Sequence, residues 1–163
     1  MPYHFLVERY LNNEEPKSDN PTSNMLFNRV RNVLNRIDNV RAQEITLWTD
    51  DLMLAGTCDC VADYMGVPSI IDFKTSLHSK NEDWIQHYFM QATGYSYMWQ
   101  ERTGEEINQI VIIVSSEDAS VQVFVKDRRD YRAMLEETVV RYYEERFETD
   151  FGFDLNTVQP DNN

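Results

Sequence analysis

The sequence predicts a mixed α/β (α+β) domain. A three-stranded antiparallel meander opens a central mixed sheet, a crossover helix leads to further strands, and helices flank both faces. Three observations predict it. Strand-forming runs separated by tight turns follow one another between Glu44 and Thr75. A long helical pattern then separates them from two more strand-like runs. Helical stripes near both ends of the chain supply apolar faces to cover a sheet.

Taken in order, Pro2 to Leu11 reads as a short helix, with proline in the first turn where its missing N–H costs little. Asn12 to Asn24 is a polar loop, and Ser23 or Asn24 could cap the next helix. That helix, Met25 to Asp38, carries Leu26, Phe27, Val30, Val33, Leu34 and Ile37 on one stripe. The strands follow as Glu44 to Thr49, Leu52 to Tyr64 and Pro68 to Thr75, with turns at Thr49-Asp50-Asp51 and Met65-Gly66-Val67. Asn81 to Arg102 is a strong helix whose inner stripe is Trp84, Ile85, Tyr88, Phe89, Ala92, Tyr95, Ser96 and Trp99. Ile107 to Val114 is a buried strand and Val121 to Val125 another. A last helix, Asp127 to about Phe147, is expected to bury Tyr131, Met134, Leu135, Thr138, Val139 and Tyr142. One domain is expected over residues 1–149, with residues 150–163 an acidic, flexible tail.

Composition narrows the function classes. No apolar run approaches the roughly 20 residues a membrane span needs. Met1-Pro2-Tyr3-His4 has no basic stretch leading into an apolar core, so no secretory signal is read there. The two cysteines, Cys58 and Cys60, are too few for a zinc or iron–sulfur site. As alternate residues of one strand they are expected to point the same way, opposite to Asp59. An i,i+2 disulfide there would be strained, which leaves reduced core thiols and a cytoplasmic location as the expectation. A net charge of −13 argues against a simple electrostatic nucleic-acid binder. The charge is uneven, however. Met25 to Arg41 holds Arg29, Arg31, Arg36 and Arg41 against the single acid Asp38, whereas Glu148 onward is acidic without Lys or Arg.

The chemistry lies in Ile70-Ile71-Asp72-Phe73-Lys74-Thr75. On a strand Asp72 and Lys74 share a face, while Ile71, Phe73 and Thr75 point the other way. A hairpin near Gly66 brings Asp59 within a residue of direct pairing with Asp72. Adjacent carboxylates repel, and a buried pair holds a proton unless a cation intervenes. Hard oxygen ligands at this density suit Mg²⁺ or Mn²⁺. A lysine beside them can orient an attacking water and steady a phosphate. An isolated Asp-x-Lys is weak; two aspartates at strand centres, which disfavour Asp, raise its weight.

Gly56-Thr57-Cys58-Asp59, then Ile71-Asp72-Phe73-Lys74-Thr75-Ser76, then Gln91-x-x-x-Tyr95 resembles the RecB-like branch of the PD-(D/E)xK nuclease superfamily. The nearest likeness within it is to the mitochondrial genome maintenance exonuclease group and its phage relatives. His4-x-x-x-Glu8-x-Tyr10-Leu11 fits the first-helix histidine pattern of that branch. The likeness runs from His4 to about Phe147. It implies a restriction-endonuclease-like core, with Asp59, Asp72, His4 and the Phe73 carbonyl as metal ligands. It also implies that Lys74 serves the nucleophile and that Gln91 and Tyr95 hold the DNA end.

Other candidates keep two readings each. Gln91 and Tyr95 line a cleft or sit at the edge of the core. Trp84 and Tyr88 pack, or stack on a displaced base. Glu44 is an outer-shell acid or a solvated strand end. Arg29 and Arg36 grip phosphates or lie on a solvated helix face. The function expected is a Mg²⁺- or Mn²⁺-dependent exonuclease acting on single-stranded or flap DNA ends. The alternatives are a structure-selective endonuclease on the same site, and a catalytically weak DNA-binding or interaction module derived from a nuclease. Phage or prokaryotic origin, with a role in DNA replication, recombination or repair, is expected by analogy alone.

Overall fold

The structure, a computed structural model, describes residues 2–150, with side chains through Arg146. The expected tail lies outside the described residues, apart from the helical backbone of Asp150. Among the described residues, four α-helices and five strands follow the anticipated order, with two 3-10 turns added. Helix α1 (Pro2–Leu11) has the expected bounds and buries Tyr3, Leu6 and Val7. Helix α2 (Pro21–Leu34) starts earlier than its apolar stripe suggested. Asn20 is the cap, its side chain accepting the Ser23 N–H at 3.0 Å, and Pro21 sits in the first turn. An Asn-Pro pair is a start signal in its own right and outweighs the polarity of the next two residues.

Strand β1 (Ile37–Thr49) is twice its expected length, so α2 gives way at Leu34. Its first half shows no alternation because it is an edge exposed on both faces, and a bulge shifts the register between Asp38 and Ala42. Arg41 ties that bulge down, reaching Asp63 at 2.6 Å and Glu105 at 2.9 Å. Strands β2 (Leu54–Tyr64) and β3 (Val67–Ser76) form a hairpin. Both turn residues, Met65 at φ 49° and Gly66 at φ 81°, are left-handed, the geometry that matches the twist of the strands.

Helix α3 (Gln86–Thr103) crosses over to β4 (Gln109–Ser116), which lies parallel to β3, and β5 (Val121–Asp127) returns antiparallel. The sheet order β1-β2-β3-β4-β5 is the mixed α+β sheet anticipated. Helices α1 and α2 cover one face over Cys60, Ile71, Phe73, Val111 and Ile113. Helix α3 covers the other over Cys58, Val61, Ile70, Ile110 and Ile112.

Three expectations fail here for local reasons. Residues 82–84 form a separate 3-10 turn before α3, so the 100° periodicity does not extend back to Trp84, which is 79% exposed. Helix α4 (Arg132–Asp150) follows another 3-10 turn and buries Leu135, but Met134 and Tyr142 are exposed, since the helix packs mainly on α3 and only one side of it is covered. Cys58 and Cys60 are both buried free thiols, yet they pack on opposite faces. Residues i and i+2 of a regular strand share a face. Strand β2 therefore changes phase at Asp59.

Candidate active site

That phase change builds the site. The β2–β3 ladder ends at Cys60–Ile71, so Asp59 stands opposite Asp72 just where the strands part. A strand residue sends its N–H and C=O to the same side. The Phe73 peptide, which would have paired with β2, faces the gap with both groups free. Asp59 Oδ2 accepts the Phe73 N–H at 2.9 Å. His4 Nε2, from α1, donates to the Phe73 carbonyl at 2.7 Å and lies 3.6 Å from Asp59 Oδ2. Where the strands separate, helices on opposite faces of the sheet reach adjacent residues of β3, Phe73 and Lys74. His4 comes from one side and the α3 residues come from the other.

Asp72 is 5% exposed on the α3 side. Lys74 Nζ lies 2.8 Å from Asp72 Oδ2, an ion-pair distance without hydrogen-bond alignment, and that buried oxygen has no hydrogen-bond partner. Lys74 also donates weakly to Gln91 Oε1 at 3.4 Å and sits 4.7 Å from the centre of the Tyr88 ring. Burial, then the charge of Asp59, pushes the Asp72 carboxyl up to about 8. Burial pushes Asp59 up as well, but the nearby His4 imidazole and hydrogen bonds from Asp72 and the Phe73 N–H outweigh it, and Asp59 sits below the usual carboxylate range. The pair thus shares one proton, carried by Asp72. The Asp59 carboxylate 3.6 Å away raises His4 above its ordinary value.

Tyr95 is buried and pushed up to about 12 by desolvation and then by the Asp72 charge. Gly56 leaves room for it: a Cβ there would lie 2.9 Å from Tyr95 Cε1 and 3.2 Å from its hydroxyl. Gly56→Ala is expected to displace that ring and cost about 1–3 kcal/mol, several degrees in Tm. Thermal melts with near-UV circular dichroism check this, since a wild-type melt with an unchanged tyrosine signal means the ring moves aside freely.

Asp59, Asp72, Lys74, His4 and Phe73 are brought together, and Gln91 and Tyr95 close the α3 side. Glu44 is not a strand end. It lies mid-β1 at φ 48°, between residues that pair with Cys60 and Cys58, which sets it beside Asp59. Burial, then the Asp59 charge, raises its carboxyl, and Glu8 adds to this. Glu8 was legible as a helical neighbour of His4 at i,i+4. Arg36 is elsewhere, bonded to the Tyr64 hydroxyl at the hairpin end of the sheet, and Arg29 is occupied by the Ser116 carbonyl. Neither arginine joins the site.

Two carboxylates, a carbonyl oxygen and an imidazole suit a hard divalent cation. The orphaned buried Oδ2 of Asp72 is what such an ion would satisfy. Among the described residues no three acidic, imidazole or thiol groups stand close enough to ligate one ion as they are, so Asp59 or His4 has to turn from the Phe73 peptide to bind it.

No family model matches the chain. Mitochondrial genome maintenance exonuclease 1 of Homo sapiens is 28% identical over 132 residues, which cover 72% of this chain and 36% of the relative. The chain thus spans little more than a third of that relative's length. A crystal structure from Eubacterium rectale, provisionally described as an exonuclease, matches with a TM-score of 0.62 at 13% identity, over 97% of this chain and 68% of the other. Its likeness is one of fold. Both comparisons are consistent with a RecB-like nuclease superfamily.

Proposed function

We propose that this chain, similar to exonucleases of a RecB-like nuclease superfamily, is a Mg²⁺- or Mn²⁺-dependent deoxyribonuclease that hydrolyses phosphodiester bonds at free DNA ends. The convergence of Asp59 and His4 on the Phe73 peptide, with the Asp72–Lys74 ion pair formed by the residues on either side of it, carries the proposal. A buried carboxylate oxygen is seldom left without a hydrogen-bond partner in a core, and Asp72 Oδ2 is.

Asp59, Asp72, the Phe73 carbonyl and His4 would hold the ion. Once bound, it supplies positive charge against the phosphate and makes a nearby water more acidic. Asp72 must first give up its proton, so ion binding strengthens as pH rises toward about 8. Lys74 keeps its ammonium beside Asp72 and within reach of Gln91, where it can steady the attacking oxygen or a phosphate oxygen. The buried Tyr95, packed on Gly56, keeps water and side chains out of the α3 side of the site. Gln91 and Tyr95 are the groups in place to hold a strand end.

The test uses end-labelled linear single strands, linear duplexes and closed circles with Mg²⁺ or Mn²⁺. Linear substrate should shorten from its ends while circles persist. Cutting of circles would turn the assignment to an endonuclease. No cutting, with no heat of Mn²⁺ binding by calorimetry, would leave a non-catalytic module.

A further inference from the structure

We propose that Tyr88 is the positioning residue for Lys74: the face of its ring holds the ammonium in place beside Asp72 and Gln91. The inference deepens the nuclease reading and rests on it.

Lys74 brings the site a charge on a long, flexible stem, and such a stem does not stay in one conformation unaided. Its polar contacts are weak anchors. Asp72 Oδ2 lies 2.8 Å from Nζ without hydrogen-bond alignment, and Gln91 Oε1 accepts at 3.4 Å. The side chain is 25% exposed, so water is within reach, and a lysine ordinarily extends its ammonium toward water. Here Nζ stands over the Tyr88 ring instead, 4.7 Å from its centre. That is inside the roughly 6 Å over which a ring face attracts an ammonium.

The ring is itself held. Tyr88 lies in the first turn of α3, its N–H donating to the Ile85 carbonyl at 2.9 Å. Half-buried, it packs against the core beneath α3, with the His87 ring 4.3 Å away between centres. Packing accounts for a tyrosine at the edge of a core, but not for an ammonium laid over its face. The surrounding charges supply the reason. The first turn of a helix is the positive end of its dipole and repels a cation beside it. Asp72 has less charge to offer Lys74 once it ligates a divalent ion, and Gln91 is neutral. The ring face ligates no ion, so its attraction persists in both states.

One arm of the test needs no metal. In protein carrying ¹³C-labelled lysine, in EDTA, the ε-methylene of Lys74 should resonate upfield of that of Lys17, which is 75% exposed, because it lies over an aromatic face. Lys74→Ala identifies the signal by its loss. Tyr88→Leu, which keeps an apolar side chain on the core, should return the signal to the Lys17 position. Tyr88→Phe, with the same face, should leave it where it was, and Lys126, over Phe89, should move in neither variant. With Mg²⁺, Tyr88→Leu should lower kcat on linear DNA about two- to thirtyfold, the worth of one cation–π contact, with KM nearly unchanged. Tyr88→Phe should cut at the wild-type rate. Added to Lys74→Ala, Tyr88→Leu should cost nothing further. An unshifted Lys74 signal, a wild-type rate in Tyr88→Leu, or an equal loss with and without Lys74 overturns the proposal. An equal loss with a raised KM would give the ring to the DNA instead. The nuclease reading fails separately: a protein whose Lys74 signal is shifted and obeys Tyr88, but which cuts nothing, keeps the contact and loses the enzyme.

Discussion

Asp72→Asn is expected to lower cleavage of linear DNA by about a thousandfold or more, equivalent to several kcal/mol of charge stabilisation, while making the protein more stable in EDTA at pH 8. The two effects have one cause. Asp72 is buried beside Asp59, and its carboxyl is pushed up to about 8. In the unfolded chain an aspartate releases its proton near pH 4, at about 3.9. The folded state therefore binds the proton more tightly. This contribution to stability is fully present below about pH 4 and is lost as pH rises to about 8. Asparagine cannot ionise and can still donate to Asp59. Melts in EDTA should nearly coincide for the two proteins below about pH 4 and diverge progressively toward pH 8. There the variant should lead by about 1–3 kcal/mol, the cost of a buried group left unsatisfied. An offset that does not grow with pH would mean Asp72 is not held protonated. Undiminished cutting would remove it from the catalytic groups.

Lys74→Ala should reduce turnover about a hundred- to ten-thousandfold, the span of a lost proton-transfer group. Mn²⁺ binding should survive, because Lys74 has donors only and cannot ligate a cation. Calorimetry with single-turnover cleavage separates the two effects. Lys74→Arg discriminates between roles. If Lys74 only places charge near the phosphate, the guanidinium restores much of the rate. If it exchanges a proton with the attacking water, arginine fails, since it stays charged. Loss of Mn²⁺ binding in Lys74→Ala would show that the lysine is holding Asp59 and Asp72 in place instead.

The site was more legible in the sequence than the edges of the fold. Asp59 and Asp72 could be matched to within a residue across the hairpin because a tight turn at Met65-Gly66-Val67 leaves little freedom of register, and the pairing Cys60–Ile71 agrees with that count. Alternation also sorted Asp72 and Lys74 from Ile71 and Phe73. It failed at Cys58 and Cys60, because strand periodicity assumes a regular pleat and β2 breaks its phase at Asp59. The first half of β1 was missed since an edge exposed on both faces carries no pattern. Trp84 was given to the helix interior because a helical wheel extends through any apolar residue, whereas the chain begins α3 only at Gln86.

The sequence by itself determined the element order, the pairing of the two aspartates and the lysine on their face. These depend on separations of a few residues, which strand and turn geometry constrain tightly. Tertiary structure alone decided that β2 and β3 part beside Asp59, that α1 reaches the Phe73 carbonyl and that α3 reaches Lys74 from the opposite side. It also left Asp72 Oδ2 buried without a hydrogen bond and Trp84 uncovered. Such features come from packing between segments far apart in the chain, where no local period records which side chain will find a partner.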